Sequence, residues 1–194
     1  CSYPKDAPLP LQEDSIWTGK PVGATGPYGM AKRLLHEACE TFGRQYELPC
    51  VVLVPANLYG PEDHFDEEKS HVIPAIIRRY VEAKEARLDE VSNWGTGSPT
   101  REFLHVADAA EAIALAAEKD IPSDPINLGT GIETSIADLT TMIARAVGYE
   151  GAVAWDTSKP DGQPKRYLNV NRAKELLGFE AKIDLETGIQ DTIE

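Results

Sequence analysis

The chain has 194 residues, of which 42% are hydrophobic and 26% charged, and its net charge is −13 at pH 7. These proportions are typical of a globular protein with one domain or parts of two, and no apolar run approaches a membrane span. The acidic charge argues against a nucleic-acid partner, since phosphate backbones need clustered Lys and Arg. The three cysteines (Cys1, Cys39 and Cys50) lack metal-ligand spacing, which favours a reduced, cytoplasmic protein without a bound metal.

Two loops and a long helix are predicted first. Residues 2–10 are too rich in proline for a helix or a central strand, and residues 23–27 indicate a second loop. A helix is expected from about residue 27 to residue 45, with Pro27 in its first turn. The apolar spacing predicts that one stripe of this helix is buried, formed by Leu34, Leu35, Ala38, Cys39 and Phe42.

The apolar run at residues 50–54 follows this helix and has the length of a strand. A continuous apolar run is typical of a parallel strand that is buried on both faces. A helix followed by a buried strand is half of a repeating βα unit, which favours an α/β fold with a doubly wound sheet.

The later sequence alternates between helical and strand-like segments. Ser135, with Asp138 three residues on, predicts a helix N-cap, and Asp184 opens the last helix. The other predicted elements are a helix at 72–86 with Ile73, Ile76, Ile77 and Tyr80 inward, a strand near 102–104, an Ala-rich helix at 107–118, a strand and turn at 125–129, and a short helix between Asn171 and Gly178.

Tyr28 and Lys32 form the first candidate for chemistry. Their spacing of four residues places both side chains on one helical face, one turn apart. An ammonium beside a phenol favours the phenolate, so the pair could move a proton near neutral pH. The same spacing also occurs in ordinary surface pairs.

Further motifs along the chain resemble those of the GDP-L-fucose synthase family, a group of extended short-chain dehydrogenases/reductases. The resemblance runs from Cys1 to the end of the chain. The motifs are, in order, Tyr28-Gly-Met-Ala-Lys32, Pro55-Ala-Asn-Leu-Tyr-Gly-Pro61, Lys69-Ser-His-Val-Ile-Pro74, Trp94-Gly-Thr-Gly97, Arg101-Glu-Phe-Leu-His-Val106 and Lys159-Pro-Asp-Gly162.

The resemblance implies the C-terminal part of a doubly wound Rossmann-type parallel sheet together with a smaller mixed α/β substrate-binding lobe. Residues 1–60 would be the remainder of an NADP-binding domain, and residues 61–194 mainly the substrate-binding lobe, with some elements returning to the sheet. Family members begin with a strand and a Gly-rich turn for the cofactor pyrophosphate. No such turn precedes Tyr28, so we expect a longer protein that has roughly 100 further residues before Cys1.

The implied substrate is GDP-4-keto-6-deoxy-D-mannose. In this family two carbons beside the ketone are epimerised, and NADPH then reduces the ketone to give GDP-L-fucose. Epimerisation needs a base, an acid on the opposite face and a donor for the enolate oxygen. By resemblance Cys1 and His71 supply the base and the acid, while Tyr28 protonates the C4 oxygen and Lys32 assists it and binds the nicotinamide ribose.

The resemblance also implies binding residues for both ligands. NADP(H) would contact Lys32, His71 and the segment Pro55, Ala56, Asn57 and Leu58, which follows a predicted strand. The nucleotide sugar would contact Arg79, Trp94 and Arg101, because Arg can clamp a phosphate and Trp can stack on a ring. A surface ion pair or a core anchor is the alternative for each of these three residues. His105 is expected to make a structural hydrogen bond, and Cys39 and Cys50 to be inert core thiols.

Three departures from the family pattern stand out. Gly29 and Met30 replace the more usual Ala and Ile, Ala56 replaces Thr, and Ala152 replaces a Lys or Arg that contacts GDP. An anionic nucleotide sugar also fits the acidic chain only if local cations offset its charge. We therefore expect six cations to converge on one cleft, namely Arg78, Arg79, Arg101, Lys159, Lys165 and Arg166.

Two other functions are compatible with these residues. Another nucleotide-sugar epimerase, dehydratase or reductase, acting on a UDP- or dTDP-sugar, would share Tyr28 and Lys32 but need not have Cys1 and His71 in these contexts. A non-catalytic binding module is the alternative from a different class. The helix containing Tyr28 often contributes to dimers in this superfamily, so a homodimer is expected for the full-length protein.

Overall fold

A computed structural model describes residues 1–66 and 70–194. Parallel strands connected by helices confirm the predicted α/β class. The chain divides into two compact units. The first unit comprises Cys1–Ala56, Asp108–Gly131 and Tyr167–Ala181, and the second unit comprises Asn57–Ala107, Ile132–Arg166 and Lys182–Glu194.

The helices and strands are numbered in chain order. They are α1 (Gly26–Tyr46), β1 (Leu53–Pro55), β2 (Asn57–Tyr59), α2 (Val72–Glu85), β3 (Glu90–Trp94), β4 (Thr100–Arg101), β5 (Phe103–His105), α3 (Val106–Ala117), β6 (Ile126–Leu128), β7 (Thr134–Ser135), α4 (Ile136–Val147), β8 (Ala152–Asp156), β9 (Lys165–Arg166) and α5 (Leu185–Ile193), with short helices at Glu13–Trp17 and Ala173–Leu177. No helix in the described part of the chain is both long and apolar enough to cross a bilayer.

In the first unit β1 pairs in parallel with β6, from Leu53 opposite Ile126 to Pro55 opposite Leu128. The strand was predicted at residues 50–54 and begins three residues later. Among residues 50–55 only Val52 is buried, so the prediction of burial on both faces is wrong. The physical reason is that burial of a strand's faces depends on the elements packed over them, which an apolar run does not reveal.

Asn127 of β6 ties the beginning of the chain to this sheet. It is fully buried, and its side-chain carbonyl accepts a hydrogen bond of 2.5 Å from the Tyr3 hydroxyl. Its amide donates to the Leu11 carbonyl at 2.9 Å, and its backbone N–H donates to Glu13 at 2.9 Å. A buried polar side chain with several partners is costly to disturb, so this network fixes the segment around Tyr3.

Helix α1 starts where the sequence predicted, with Pro27 in its first turn, but a different face is buried. Three residues of the predicted stripe, Leu34, Leu35 and Phe42, are 68%, 55% and 47% exposed. The buried positions are Gly26, Gly29 and Arg33. The prediction was wrong because periodicity identifies an apolar stripe without saying what covers it.

The second unit has its own core of helices and short sheets. Strand β2 pairs in parallel with β5, β3 pairs in parallel with β8, and β4 lies between β7 and β9. The predicted inward residues of α2 are all buried here, with α4 and α5 packed into the same core. Ser135 caps α4 by accepting from Asp138 N–H at 3.0 Å, and Asp184 caps α5 by accepting from Thr187 N–H at 2.9 Å, as predicted.

The sequence did not reveal strands β3 and β8. In β3 the buried positions alternate, but one of them is Asn93, which breaks the apolar signal. Its amide is satisfied by the Tyr80 hydroxyl at 2.8 Å and the Ala154 carbonyl at 3.3 Å. Since those partners come from distant parts of the chain, local sequence could not identify this polar side chain as a core residue.

Candidate active site

Tyr28 and Lys32 lie on one face near the start of α1, and both are exposed. The Lys32 ammonium is 5.3 Å from the centre of the Tyr28 ring. The ammonium therefore lies close to the phenol ring, and the exposure of both side chains leaves room for a ligand. An accessible phenol hydroxyl can donate a proton to a bound molecule.

Cys1 is held against the same helix. A Cβ on Gly29 would collide with the Cys1 carbonyl oxygen and would come within 2.9 Å of the Pro21 Cβ. The glycine that departs from the family pattern is thus required by this close approach rather than being only a weak helix former. Gly29 directly follows Tyr28, so this contact brings the Cys1 backbone close to the start of α1. Cys1 itself is exposed.

The predicted cofactor segment crosses from one unit to the other. Pro55 is the last residue of β1 in the first unit, and Ala56, which follows it, donates its N–H to the Leu128 carbonyl at 2.8 Å. Asn57 and Leu58 begin β2 in the second unit, where the Asn57 amide donates to the Glu102 carbonyl at 2.8 Å. The carboxyl ends of parallel strands are where ligands of doubly wound sheets bind, and Pro55 lies at such an end.

A cavity of about 270 Å³ in the second unit brings four predicted residues together, namely Asn57, Leu58, His71 and Arg101. Val72, Ile73, Phe103 and Ile136 complete its lining. His71 is exposed at the N-cap of α2, so its imidazole is accessible. Lys69, the first residue of the motif around His71, lies outside the described residues.

Arg101 is half-buried beside this cavity. Its guanidinium donates to the carbonyls of Thr100 at 2.6 Å and Gln163 at 2.7 Å. Burial lowers the pKa of Arg101 from its usual value, and the nearby charge of Arg166 lowers it further. A guanidinium held by carbonyls beside a second cation is well suited to an anionic ligand.

Trp94 and Arg79 do not line that cavity in the part of the chain that the structure describes. Trp94 is 73% exposed at the end of β3, and the Lys159 ammonium lies 5.8 Å from its ring centre. Arg79 is exposed on α2 and donates to the Asn93 side chain at 3.1 Å.

Asp161 is a residue of this region to which the sequence analysis gave no role. Its carboxylate accepts hydrogen bonds from the Thr96 backbone at 2.9 Å and the Thr96 hydroxyl at 2.7 Å, and these bonds hold the pKa of Asp161 below its usual value. Gly95 has φ +80°, and a Cβ there would collide with the same carboxylate. In the sequence, this residue could have been found from the Lys159-Pro-Asp-Gly162 motif. Asp161 fixes the turn that follows Trp94.

The six cations expected in one cleft make contacts with several different groups of the protein. Arg78 donates to Glu82 and to the Phe65 carbonyl, Lys165 pairs with Glu133 at 3.6 Å, and Lys159 lies over Trp94. Arg101 and Arg166 both donate hydrogen bonds to Gln163, so these two guanidinium groups lie near each other.

The remaining candidate residues have structural roles. His105 is buried, with one ring nitrogen accepting from Ala107 N–H at 3.3 Å and the other 3.2 Å from an Asp191 oxygen, as expected of a structural histidine. Cys39 and Cys50 are half-buried rather than core residues, and burial raises the pKa of the Cys39 thiol, with a further contribution from Cys50. Residues 1–66 and 70–194 contain no cluster of three or more His, Cys, Asp or Glu side chains able to hold a metal.

These features together define a Rossmann-like α/β protein with an exposed Tyr–Lys pair. Residues 1–129 match the model of the NAD dependent epimerase/dehydratase family. Because this match covers more than half of the 194 residues, the chain belongs to that family. The Rossmann-type fold predicted from the sequence is therefore confirmed.

Two relatives and one solved structure agree with the resemblance in the motifs. The chain is 39% identical to the probable GDP-L-fucose synthase 1 of Oryza sativa subsp. japonica, over 99% of this chain and 58% of that protein. It is 41% identical to the GDP-L-fucose synthase of Escherichia coli (strain K12), over 99% of this chain and 62% of that protein. A GDP-L-fucose synthetase from Naegleria fowleri, solved with NADP bound, has a TM-score of 0.90 at 27% identity, over 100% of this chain and 62% of that one. The chain thus spans less than two thirds of each of these proteins.

Proposed function

We propose that the full-length protein converts GDP-4-keto-6-deoxy-D-mannose into GDP-L-fucose by epimerisation and NADPH-dependent reduction. The observation that carries this proposal is the arrangement on α1, where Tyr28 and Lys32 are exposed together and Cys1 is held against Gly29. The names of the relatives point to the same reaction. The first unit would belong to the cofactor-binding domain, and the second unit would carry the substrate-binding residues.

The residues present fit NADP(H) as the cofactor. The exposed ammonium of Lys32 would bond the nicotinamide ribose, and Pro55, Ala56, Asn57, Leu58 and His71 would line the rest of its site. The main support is the position of Pro55 at the carboxyl end of a parallel strand. When bound, NADPH supplies the hydride for the ketone.

In the reduction, the Tyr28 hydroxyl donates its proton to the C4 oxygen of the sugar. The resulting phenolate is stabilised by the Lys32 ammonium, which lies on the same side of the helix. The proton lost by Tyr28 is later regained from solvent, since the residue is exposed.

In the epimerisation, Cys1 and His71 act as base and acid. One of them removes a proton from a carbon beside the ketone, which leaves an enolate, and the other returns a proton to the opposite face. A thiolate and an imidazole can both exchange protons near neutral pH. Both residues are exposed, so each is accessible to a substrate.

The GDP moiety would be bound by cations and by an aromatic ring in the second unit. Arg101 and Arg79 would contact phosphate oxygens, and Trp94 would stack on the base or the sugar. Ala152 is exposed and carries no charge, so any contact that the family makes with a cation at that position is absent.

We also propose that the protein is a cytoplasmic homodimer. The support for the dimer is the exposed apolar stripe of α1, here defined as Met30, Leu34, Leu35, Phe42 and Tyr46. Side chains spaced in this way lie on one side of the helix and form a continuous apolar surface. The support for the cytoplasm is the set of three free cysteines.

The test is turnover of GDP-4-keto-6-deoxy-D-mannose by the full-length protein with NADPH. The expected products are NADP⁺ and GDP-L-fucose, identified by nuclear magnetic resonance. Turnover of a UDP- or dTDP-sugar in place of the GDP-sugar would overturn the proposed substrate, and absence of turnover with all three would support a binding module.

A further inference from the structure

Arg33 is an unusual residue for its position. It follows Lys32 directly on α1, yet only 5% of its surface is exposed. Its Nε donates to the Ser2 carbonyl at 2.8 Å, and its Nη1 donates to the Gly19 carbonyl at 2.6 Å. The partners that hold this guanidinium are therefore backbone carbonyls of two loops.

Burying this charge has an energetic cost. Burial lowers the pKa of Arg33 from its usual value, and Nη2 has no hydrogen-bond partner in the part of the chain that the structure describes. The face of the Trp17 ring, 5.5 Å away, offsets part of the cost. A buried cation bound mainly by neutral carbonyls is a poor source of stability, so its location suggests another role.

That location is beside Cys1. Gly29 and Arg33 are one turn apart on the buried face of α1, where Gly29 receives the Cys1 carbonyl and Arg33 binds the Ser2 carbonyl. The next residue, Tyr3, is fixed by Asn127 of β6. Cys1, Ser2 and Tyr3 are thus all held by contacts. Cys1 and Ser2 contact α1, the helix that carries Tyr28 and Lys32.

We propose that Arg33 is a positioning residue for Cys1. By holding the Ser2 carbonyl it fixes the Cys1 backbone on α1, so that the thiol keeps a constant place relative to Tyr28 and Lys32. This role rests on the proposed function, in which Cys1 exchanges a proton with the substrate. No part of the hydride chemistry depends on it.

The experiment compares Arg33→Met, Arg33→Lys and the control Arg44→Met in the full-length protein. Arg44 is exposed on the same helix and pairs with Glu40 at 3.3 Å, so its loss leaves the Cys1 segment in place. In Arg33→Met, solvent deuterium exchange at the carbons beside the ketone should fall by about 10²-fold, the cost of a small misplacement of a reacting group. Reduction of an already epimerised ketone should stay near the wild-type rate, and Arg33→Lys should recover part of the exchange.

A second readout tests the positioning without any substrate. The alkylation rate of Cys1 by iodoacetamide, followed by peptide mass spectrometry, should rise severalfold in Arg33→Met and stay unchanged in Arg44→Met. Equal alkylation of Cys1 in the wild type and in both Arg33 variants would overturn the proposal. If the wild type exchanges no deuterium, the proposed function is wrong, and the alkylation rates still decide whether Arg33 fixes Cys1. Should Arg33→Met fail to fold, Arg33→Lys is compared with the wild type and Arg44→Met, its Cys1 alkylation should rise by a smaller factor, and unchanged alkylation in Arg33→Lys would overturn the proposal.

Discussion

Tyr28 combines two properties that a proton donor needs, exposure to a ligand and a nearby positive charge. In Tyr28→Phe the ring remains but the phenolic proton is lost, so reduction of the ketone should slow by about 10²–10⁴-fold. Deuterium exchange at the carbons beside the ketone should persist, because Cys1 and His71 are unchanged. NADPH oxidation and exchange measured on the same sample test this, and loss of both together would contradict the separate roles of these residues.

His36 gives the folded protein a specific pH dependence. Burial lowers the pKa of His36 below its usual 6.5, and the Arg33 charge lowers it further. As the pH falls below 6.5, the unfolded chain therefore takes up a proton that the folded chain resists, and the free energy of unfolding decreases. Well above 6.5 the imidazole is neutral in both states and has no such effect.

Replacing His36 by Gln should remove this loss of stability at acidic pH. Urea unfolding of the wild type and of His36→Gln on either side of pH 6.5 measures it, with the exposed His64→Gln as the matched control. The wild type and His64→Gln should lose stability on acidification, and His36→Gln should lose less. The same acid sensitivity in all three proteins would show that other groups cause it.

At the scale of single elements, α1 has several large apolar side chains that are exposed in the described part of the chain. Its buried face is made by Gly26, Gly29 and Arg33, while the apolar stripe is exposed. Exposed apolar surface of this extent is typical of an interface. Phe42 and Tyr46, with ring centres 5.7 Å apart, form its aromatic end.

Charges placed in the stripe should dissociate the proposed dimer. In the double variant Leu34→Glu with Phe42→Glu, burying two carboxylates should weaken dimerisation by more than about tenfold in Kd. Sedimentation velocity at several protein concentrations measures this, and Leu88→Glu, an exposed leucine of the second unit, serves as the control. A monomeric wild type, or a double variant that dimerises normally, would show that the stripe is not a dimer interface.

At the scale of the whole molecule, the proposed epimerisation depends on two residues that are far apart in the chain, Cys1 and His71. In the full-length protein, Cys1→Ser and His71→Gln should each slow deuterium exchange by about 10²–10⁴-fold, because each removes one proton-transfer group. Both variants should still reduce an already epimerised ketone, since Tyr28 and Lys32 remain. Wild-type exchange in both variants would favour a simple sugar reductase.

Much of the fold could be predicted from the sequence because its signals are local. Both ends of α2 and α3 were expected within one residue of those observed, because their apolar spacing lies within each segment. The starts of α4 and α5 were expected at the caps Ser135 and Asp184. The strands were harder to predict. Strands β4, β7 and β9 have two residues each, too short for a pattern, and β3 contains the buried Asn93.

The sequence alone determined the family, the starts of the main helices and the candidate residues Tyr28, Lys32, Cys1 and His71, because motifs and caps are read from neighbouring positions. Only the tertiary structure decided which face of α1 is buried, why Gly29 cannot carry a side chain, and that Arg33 binds the loop containing Ser2. It also decided that His71 and Arg101 share a cavity. The physical reason is that burial and hydrogen-bond partners depend on segments far apart in the chain, whose approach is set by packing of the whole unit.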